Sequence, residues 1–335
     1  MNQMKHIVSI GPKKSEIREI PMVEYNDDQI LVRNRYVGVC RSEHYAWSTA
    51  TAGKAFGHEP MGIVEAVGKN VTGFRKGDRV SGLFGCSLPG AGGMVEYFAL
   101  DPQKSIVVKL PDNLRDEDGV LEPLACLMSA VSKVQLSMPG TTVCVVGCGY
   151  MGCGAISLLK TRGARVVAVD IRPECLLDAK KYGADEVMLV DEARAKFRLD
   201  EPFSTRTELG YDLVMEWGET AESLDLAINL TKMCGKLYIG AYHTGGKRLV
   251  DVQQLNLKAI DCLSVHPRER ELSRIGAFNA VELLSSGQWN FKNIPVKVYP
   301  MSRFDQAHAE LETKYGHYMK ALIDMTREDG EPYIL

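Results

Sequence analysis

Three short stretches of the sequence carry side chains suited to chemistry. GVCRSEHYAW, residues 38–47, sets Cys40 beside Ser42, Glu43, His44 and Tyr45. A cysteine in that company can be a nucleophile, half of a disulfide, a buried apolar filler or a metal ligand. A nucleophile needs a paired base. A catalytic zinc takes thiolate, imidazole and carboxylate donors and keeps one position for water or substrate. Donors of those types recur in FGHEPMG, with His58 and Glu59, and in LEPLAC, with Glu122 and Cys126. Glu122 and Cys126, four residues apart, share one face if that segment is helical. Spacing alone does not show that distant segments converge, so the residues leave the roles of Cys40 open.

The third stretch is VCVVGCGYMGCGAISLL, with Gly147-x-Gly149-x-x-Gly152 after an apolar run and before a helical one. In such a loop the first glycine permits the tight turn. The second lets a pyrophosphate approach the backbone, and the third lets helix and strand pack closely. Tyr150 and Met151 open the helix, whose free N–H groups face the phosphate. The next apolar run ends in Asp170, about 20 residues on, where a carboxylate binds a ribose 2′-hydroxyl. That carboxylate repels a 2′-phosphate and favours NAD over NADP, while Arg172 two residues later pulls the other way. No Gly-Lys-Ser/Thr follows, so the loop is not a P-loop.

These stretches need elements to position them. Before residue 125, short β-type runs (QILVRNRYVGV, GIVEAVG, GDRVSG, MVEYFAL, SIVVKL) alternate with Gly, Pro and Asp turns, as in an irregular β-rich domain. After it, apolar β runs alternate with helical segments: TTVCVVG, ARVVAVD, EVMLVD, YDLVMEWG and GKLYIGAYH are the strands. Near-continuous apolar strands are buried on both faces, so this half reads as a doubly wound parallel sheet. From about residue 267 a helix, IGAFNAVELLSSG, leads into a mixed tail.

Composition narrows the class. The chain has 335 residues, 45% hydrophobic and 25% charged, with a net charge of −3. That balance gives no electrostatic footprint for nucleic acid. The N-terminus lacks the apolar core of a signal peptide, and no apolar run is long enough to span a bilayer. Nine cysteines, an odd number scattered through apolar segments, point to reduced thiols in a cytoplasmic protein. No four of them stand at structural-zinc spacing.

Taken in order, GVCRSEHYAW, GHEPMGIVEAVGKNVTGFRKGDRV, LEPLAC and the glycine loop resemble the zinc-dependent medium-chain dehydrogenase/reductase family, in its sorbitol/polyol and threonine dehydrogenase branch. The resemblance extends over essentially the whole chain. It implies an α/β protein: a GroES-like β-rich catalytic domain, 1–125 and 267–335, and an NAD-binding Rossmann domain, 126–266. It implies one catalytic zinc held by Cys40, His58, Glu59 and a fourth ligand. That fourth ligand is Glu122 in the polyol branch and Cys126 in the simple alcohol branch, and we favour Glu122. The four-cysteine lobe of many relatives corresponds to SGLFGCSLPGAGGMVEYF, which keeps only Cys86, so no structural zinc is expected.

The resemblance also implies the chemistry. Zinc binds the alcohol oxygen, Ser42 takes the proton, and the carbinol carbon gives hydride to NAD. The family's relay histidine position holds Tyr45, with His44 one residue earlier; beyond Ser42 the proton path is open to Tyr45, the cofactor ribose, water or His44. Strand-end segments IGAYHTGG and SVHPRER bring Tyr242, His243, His266 and Arg268 as candidate pocket residues. Trp47 is a candidate pocket wall or a core aromatic. The expected substrate is a small-molecule secondary alcohol: a polyol, cyclitol or sugar, with a threonine-type hydroxy or amino acid second. A catalytically silent NAD-binding protein is the rival from another class. A homodimer or homotetramer is expected by analogy, without a membrane or nucleic-acid partner.

Overall fold

The computed structural model describes residues 3–84, 92–206, 208–313 and 317–335. Among them the chain forms two compact units. The first comprises Met1–Ala125, Arg274–Ser286 and Lys292–Leu335; the second comprises Cys126–Ser273 and Gly287–Phe291.

The first unit begins with an antiparallel pair, β1 (Gln3–Gly11) and β2 (Lys14–Pro21). β3 (Ile30–Gly38) leads into α1 (Arg41–Thr49). β4 (Pro60–Val67), β5 (Arg79–Leu83), β6 (Tyr97–Leu100) and β7 (Ile106–Lys109) follow. β3 is the hub. It pairs antiparallel with β4, with β6 near its start, and near its end with β15 (Lys320–Asp324) from the far end of the chain. Its residues are buried except Arg33 and the half-buried Arg35, because this strand is covered on both faces. One apolar core gathers Ile30, Val32, Val64, Val80, Phe84 and Phe98. Another gathers Val37, Trp47, Phe56, Tyr299, Phe304 and Ile323.

α2 (Leu121–Ser132) carries the chain into the second unit. There β8 (Thr142–Val146), α3 (Tyr150–Thr161), β9 (Arg165–Asp170) and α4 (Pro173–Lys181) form one βαβα run. β10 (Glu186–Leu189), α5 (Val190–Lys196), β11 (Tyr211–Glu216), α6 (Ala221–Leu230) and β12 (Thr231–Ile239) continue it. α7 (Val252–Leu257) and β13 (Asp261–Ser264) complete the sheet. Its order is β10-β9-β8-β11-β12-β13, all parallel, with the strand order reversing at β8. This is the doubly wound arrangement, and it opens its ligand crevice at that reversal. The valines of β8 and β9 are buried because helices cover both faces.

α8 (Arg270–Ser285), β14 (Val296–Pro300), α9 (Phe304–Thr313), β15 and β16 (Tyr333–Ile334) return the chain to the first unit. The passage falls at residue 273 rather than the expected 266, and 287–291 belongs to the second unit. Aromatic packing accounts for that short return: Phe291 stacks on Trp289, meets Tyr182 edge to face and packs tilted on Tyr150. EVMLVD is likewise a shorter strand than expected, since α5 begins at Val190. Cys86 lies outside the described residues.

Candidate functional site

In the first unit, two backbone bonds fix the segment that presents Cys40. Gly38 N–H donates to Glu59 O at 3.0 Å, and Val39 N–H donates to Ala321 O at 2.9 Å. Cys40 is thereby held between the approach to β4 and the start of β15, and α1 starts at the next residue. His58 and Glu59 occupy that approach to β4. The Cys40 thiol, a His58 ring nitrogen and a Glu59 carboxylate oxygen all lie within 4.8 Å of one another.

The surroundings explain why these donors stay together. Glu43 Oε1 is 3.2 Å from His58 Nδ1 and accepts the Gly57 N–H at 2.9 Å. It fixes one ring nitrogen, so the other is turned toward Cys40, the carboxylate–histidine arrangement that orients metal-binding imidazoles. Ser42 Oγ donates to Cys40 Sγ at 3.2 Å. Lys320 Nζ lies 2.5 Å from Glu59 Oε2, and Glu59 Oε1 is buried without a hydrogen-bond partner.

Electrostatics favour a cation in this cluster. Burial, then the Glu59 carboxylate, push the Cys40 thiol up. Burial works against a charge on His58, yet its hydrogen bonds to Cys40 and Glu43 push it up to about 12. Burial works against Lys320 too, and Glu59 and Cys40 outweigh it. A thiol, an imidazole and an orphaned buried carboxylate oxygen that together draw positive charge fit a zinc ion. Glu122, in the first turn of α2, is not in the three-residue group; its charge is felt at Lys320. Cys126 stands one turn further along the same helix and is half-buried.

In the second unit the glycine turn has the form a dinucleotide needs. Gly147 has φ +90°, and a Cβ there would sit 2.7 Å from Gly218 N. A Cβ on Gly152 would sit 1.9 Å from Gly147 O, so only glycine lets α3 close onto the turn. A Cβ on Gly149, between them, would meet nothing within 4 Å, so this side of the turn is open, as the approach of a phosphate requires. Tyr150 and Met151 form the first turn of α3 beside it. Asp170 ends β9 and is buried. Its Oδ2 accepts the Cys148 N–H at 2.7 Å, and its Oδ1 accepts from Arg172 N at 2.9 Å and Nε at 3.3 Å. The carboxylate thus pins the glycine turn to β9.

Residues 26–112 match the model of the alcohol dehydrogenase GroES-like domain, and residues 151–274 match that of the zinc-binding dehydrogenases. The chain belongs to the zinc-dependent medium-chain dehydrogenase/reductase family. A probable D-xylulose reductase A of Arthroderma otae is 28% identical to it, over 92% of this chain and 93% of that protein. The sorbitol dehydrogenase of Bacillus subtilis is 25% identical, over 91% and 92%. Among solved structures, an Escherichia coli oxidoreductase/dehydrogenase of unknown specificity superposes with a TM-score of 0.79 at 22% identity, covering 96% of this chain and 99% of that one. That last likeness bears on the fold.

Several residues of this dehydrogenase stand elsewhere than the sequence suggested. His44 turns to α9, its Nε2 2.8 Å from Glu312 Oε1, and its ring packs on Trp47. Tyr45 is half exposed. The pocket-wall role of Trp47 is corrected: it is 3% exposed, stacked on His308 and hydrogen-bonded to Asp305, because the same α1 face that buries it meets α9. In the second unit, Tyr242 and His266 bring their rings to 5.3 Å at the ends of β12 and β13, with Arg268 exposed beside them. Burial, then Arg268, lower the His266 pKa.

Sequence reasoning missed Glu43 and Lys320. Glu43 stood in the quoted stretch, and its signal was its place one residue beyond Ser42. Lys320 had none, lying on a strand that the sequence does not connect to Cys40. Among the described residues no helix is long and apolar enough to cross a membrane.

Proposed function

We propose that the chain oxidises a secondary alcohol of a polyol or sugar with NAD, using a single zinc per chain. The convergence of Cys40, His58 and Glu59 within 4.8 Å carries this reading. The relatives named for sorbitol and D-xylulose support the polyol class. The carboxylate of Asp170 at the end of β9 supports NAD over NADP.

When bound, zinc supplies Lewis-acid polarisation of the substrate oxygen and NAD supplies the hydride acceptor. Cys40, His58 and Glu59 would hold the metal, with Glu122 as the fourth ligand, and Glu43 keeps the His58 ring oriented. Ser42 takes the proton of the substrate hydroxyl and returns it to solvent. The carbinol C–H bond breaks with its electron pair, leaving a ketone. His44, held by Glu312, stays outside that path. Gly147, Gly149, Gly152, Tyr150, Met151 and Asp170 position the dinucleotide.

The test combines metal analysis with a substrate panel. Protein purified without chelator is assayed by plasma mass spectrometry, then offered sorbitol, xylitol, cyclitols and threonine with NAD or NADP. About one zinc per chain and NAD reduction by polyols are expected. Protein that neither contains nor takes up zinc would overturn the reading, and two zinc ions per chain would overturn the single-site form of it.

A further inference from the structure

The glycine turn abuts a second polar constellation at the ends of β11 and β12. Glu216, the last residue of β11, is fully buried. Its Oε1 accepts from Gly218 N at 2.7 Å, Glu219 N at 2.9 Å and Ser223 Oγ at 2.7 Å. Its Oε2 is 2.9 Å from Nε2 of His243, which follows β12. Thr244 Oγ donates to Glu219 Oε1 at 3.0 Å, tying the same two loops a second time. Glu219 and His243 are both non-glycine residues at positive φ, 65° and 50°. Such backbone conformations persist only where the surroundings over-determine them, and they gather at ligand sites.

The carboxylate settles the orientation of the imidazole. An ionised carboxylate only accepts, so His243 Nε2 must carry the proton. In the neutral ring, Nδ1 is then an acceptor, and it is buried with no hydrogen-bond partner. A buried polar atom left without a partner in an otherwise satisfied network calls for an explanation. Position suggests one. The pair stands at the carboxyl ends of two parallel strands, and Gly218, whose N–H it holds, is what a Cβ on Gly147 would strike. This is the end of the sheet where a ligand lies.

We propose that His243, oriented by Glu216, is a positioning residue for the nicotinamide half of the cofactor. Its Nδ1 accepts a hydrogen bond from the carboxamide N–H or ribose O–H of the nicotinamide riboside. The inference rests on the dinucleotide reading above and extends it to a residue outside the glycine turn.

The experiment compares two ligands on zinc-loaded protein by fluorescence titration and calorimetry: NADH, and ADP-ribose, which lacks the nicotinamide. His243→Ala is expected to weaken NADH about tenfold, the worth of one hydrogen bond, and ADP-ribose less than twofold. His243→Asn, which keeps an acceptor and tolerates positive φ, retains most of the NADH affinity. Glu216→Gln keeps its oxygen on Gly218, Glu219 and Ser223 while turning an amide N–H toward His243. The ring then adopts the other tautomer, visible in its 15N chemical shifts, and NADH weakens as in the alanine variant. Equal losses for both ligands, or wild-type NADH affinity in His243→Ala or Glu216→Gln, would overturn the inference. A wild-type protein that binds no NADH would remove the dinucleotide reading itself, a distinct result.

Discussion

The Lys320 ammonium meets the Glu59 carboxylate at 2.5 Å, both buried, beside the thiol of Cys40. The pair joins β15 to the centre of the Cys40, His58 and Glu59 cluster. Removing one member of a buried ion pair leaves an uncompensated charge and costs about 3–5 kcal/mol. Lys320→Met is therefore expected to lose about that much stability in chelator, and much less with zinc present, since the metal neutralises Glu59. Denaturant titration with and without chelator checks this; equal losses in both would show that the two cations do not share Glu59.

Glu43 orients His58 without belonging to the ligand set. Loss of such a partner costs about 10–100-fold in metal affinity. Glu43→Gln is expected to weaken zinc by that factor in competition with a chromogenic chelator, while Cys40→Ala loses zinc and turnover and stays folded. A Cys40→Ala protein with full zinc content would remove Cys40 from the set.

Ser42→Ala separates proton transfer from metal binding. Turnover is expected to fall about 10²–10⁴-fold, the usual worth of a positioned acid–base group, with zinc content unchanged. Undiminished turnover would assign the proton to another group.

Asp170 pins the glycine turn to β9 and, in the proposed function, takes a ribose hydroxyl. A hydrogen bond to a charged group is worth about 1.5–3 kcal/mol. Asp170→Ala is expected to raise KM for NAD tenfold or more and to narrow the preference over NADP. Steady-state kinetics with both cofactors decide it.

His308 gives the first unit an acid sensitivity. Burial, then nearby His44, push its pKa down to about 3. Below the ordinary value of about 6.5 the unfolded chain takes up the proton and the folded one does not. The stability held at higher pH is thus lost progressively as pH falls from about 6.5 toward 3, amounting to roughly 1.4 kcal/mol at pH 5.5. His308→Phe, an aromatic among Trp47, Phe56 and Phe304, is expected to flatten that slope. Unfolding titrations at pH 5.5 and 7.5 compare the two proteins; parallel slopes would clear His308.

Local pattern made the second unit legible. Buried parallel strands are written as apolar runs, and the turn needs glycine at 147 and 152 because Gly218 N and Gly147 O leave no room for a Cβ, while Gly149 leaves its side open. The convergence of Cys40, His58 and Glu59 was legible only through resemblance, since nothing local says that residues 40 and 58 meet. His44 and Tyr45 show the limit of position-by-position transfer. One residue along a helix turns a side chain by about 100°, which sends His44 to Glu312 and Tyr45 to solvent. Glu216 escaped notice, and His243 was legible only as a strand-end candidate, because their meaning lies in a hydrogen bond between two loops.

The pairing of β3 with β15 has a consequence for how the candidate metal site comes together. Cys40, His58 and Glu59 leave the ribosome ahead of the second unit, but the backbone that grips Val39 and the ammonium that meets Glu59 belong to residues 321 and 320, which follow it. The nascent chain must wait through synthesis of the entire second unit, itself able to collapse as it emerges. A metal bound before then would lack that support, so the cluster is complete only once β15, which follows the second unit, has joined β3.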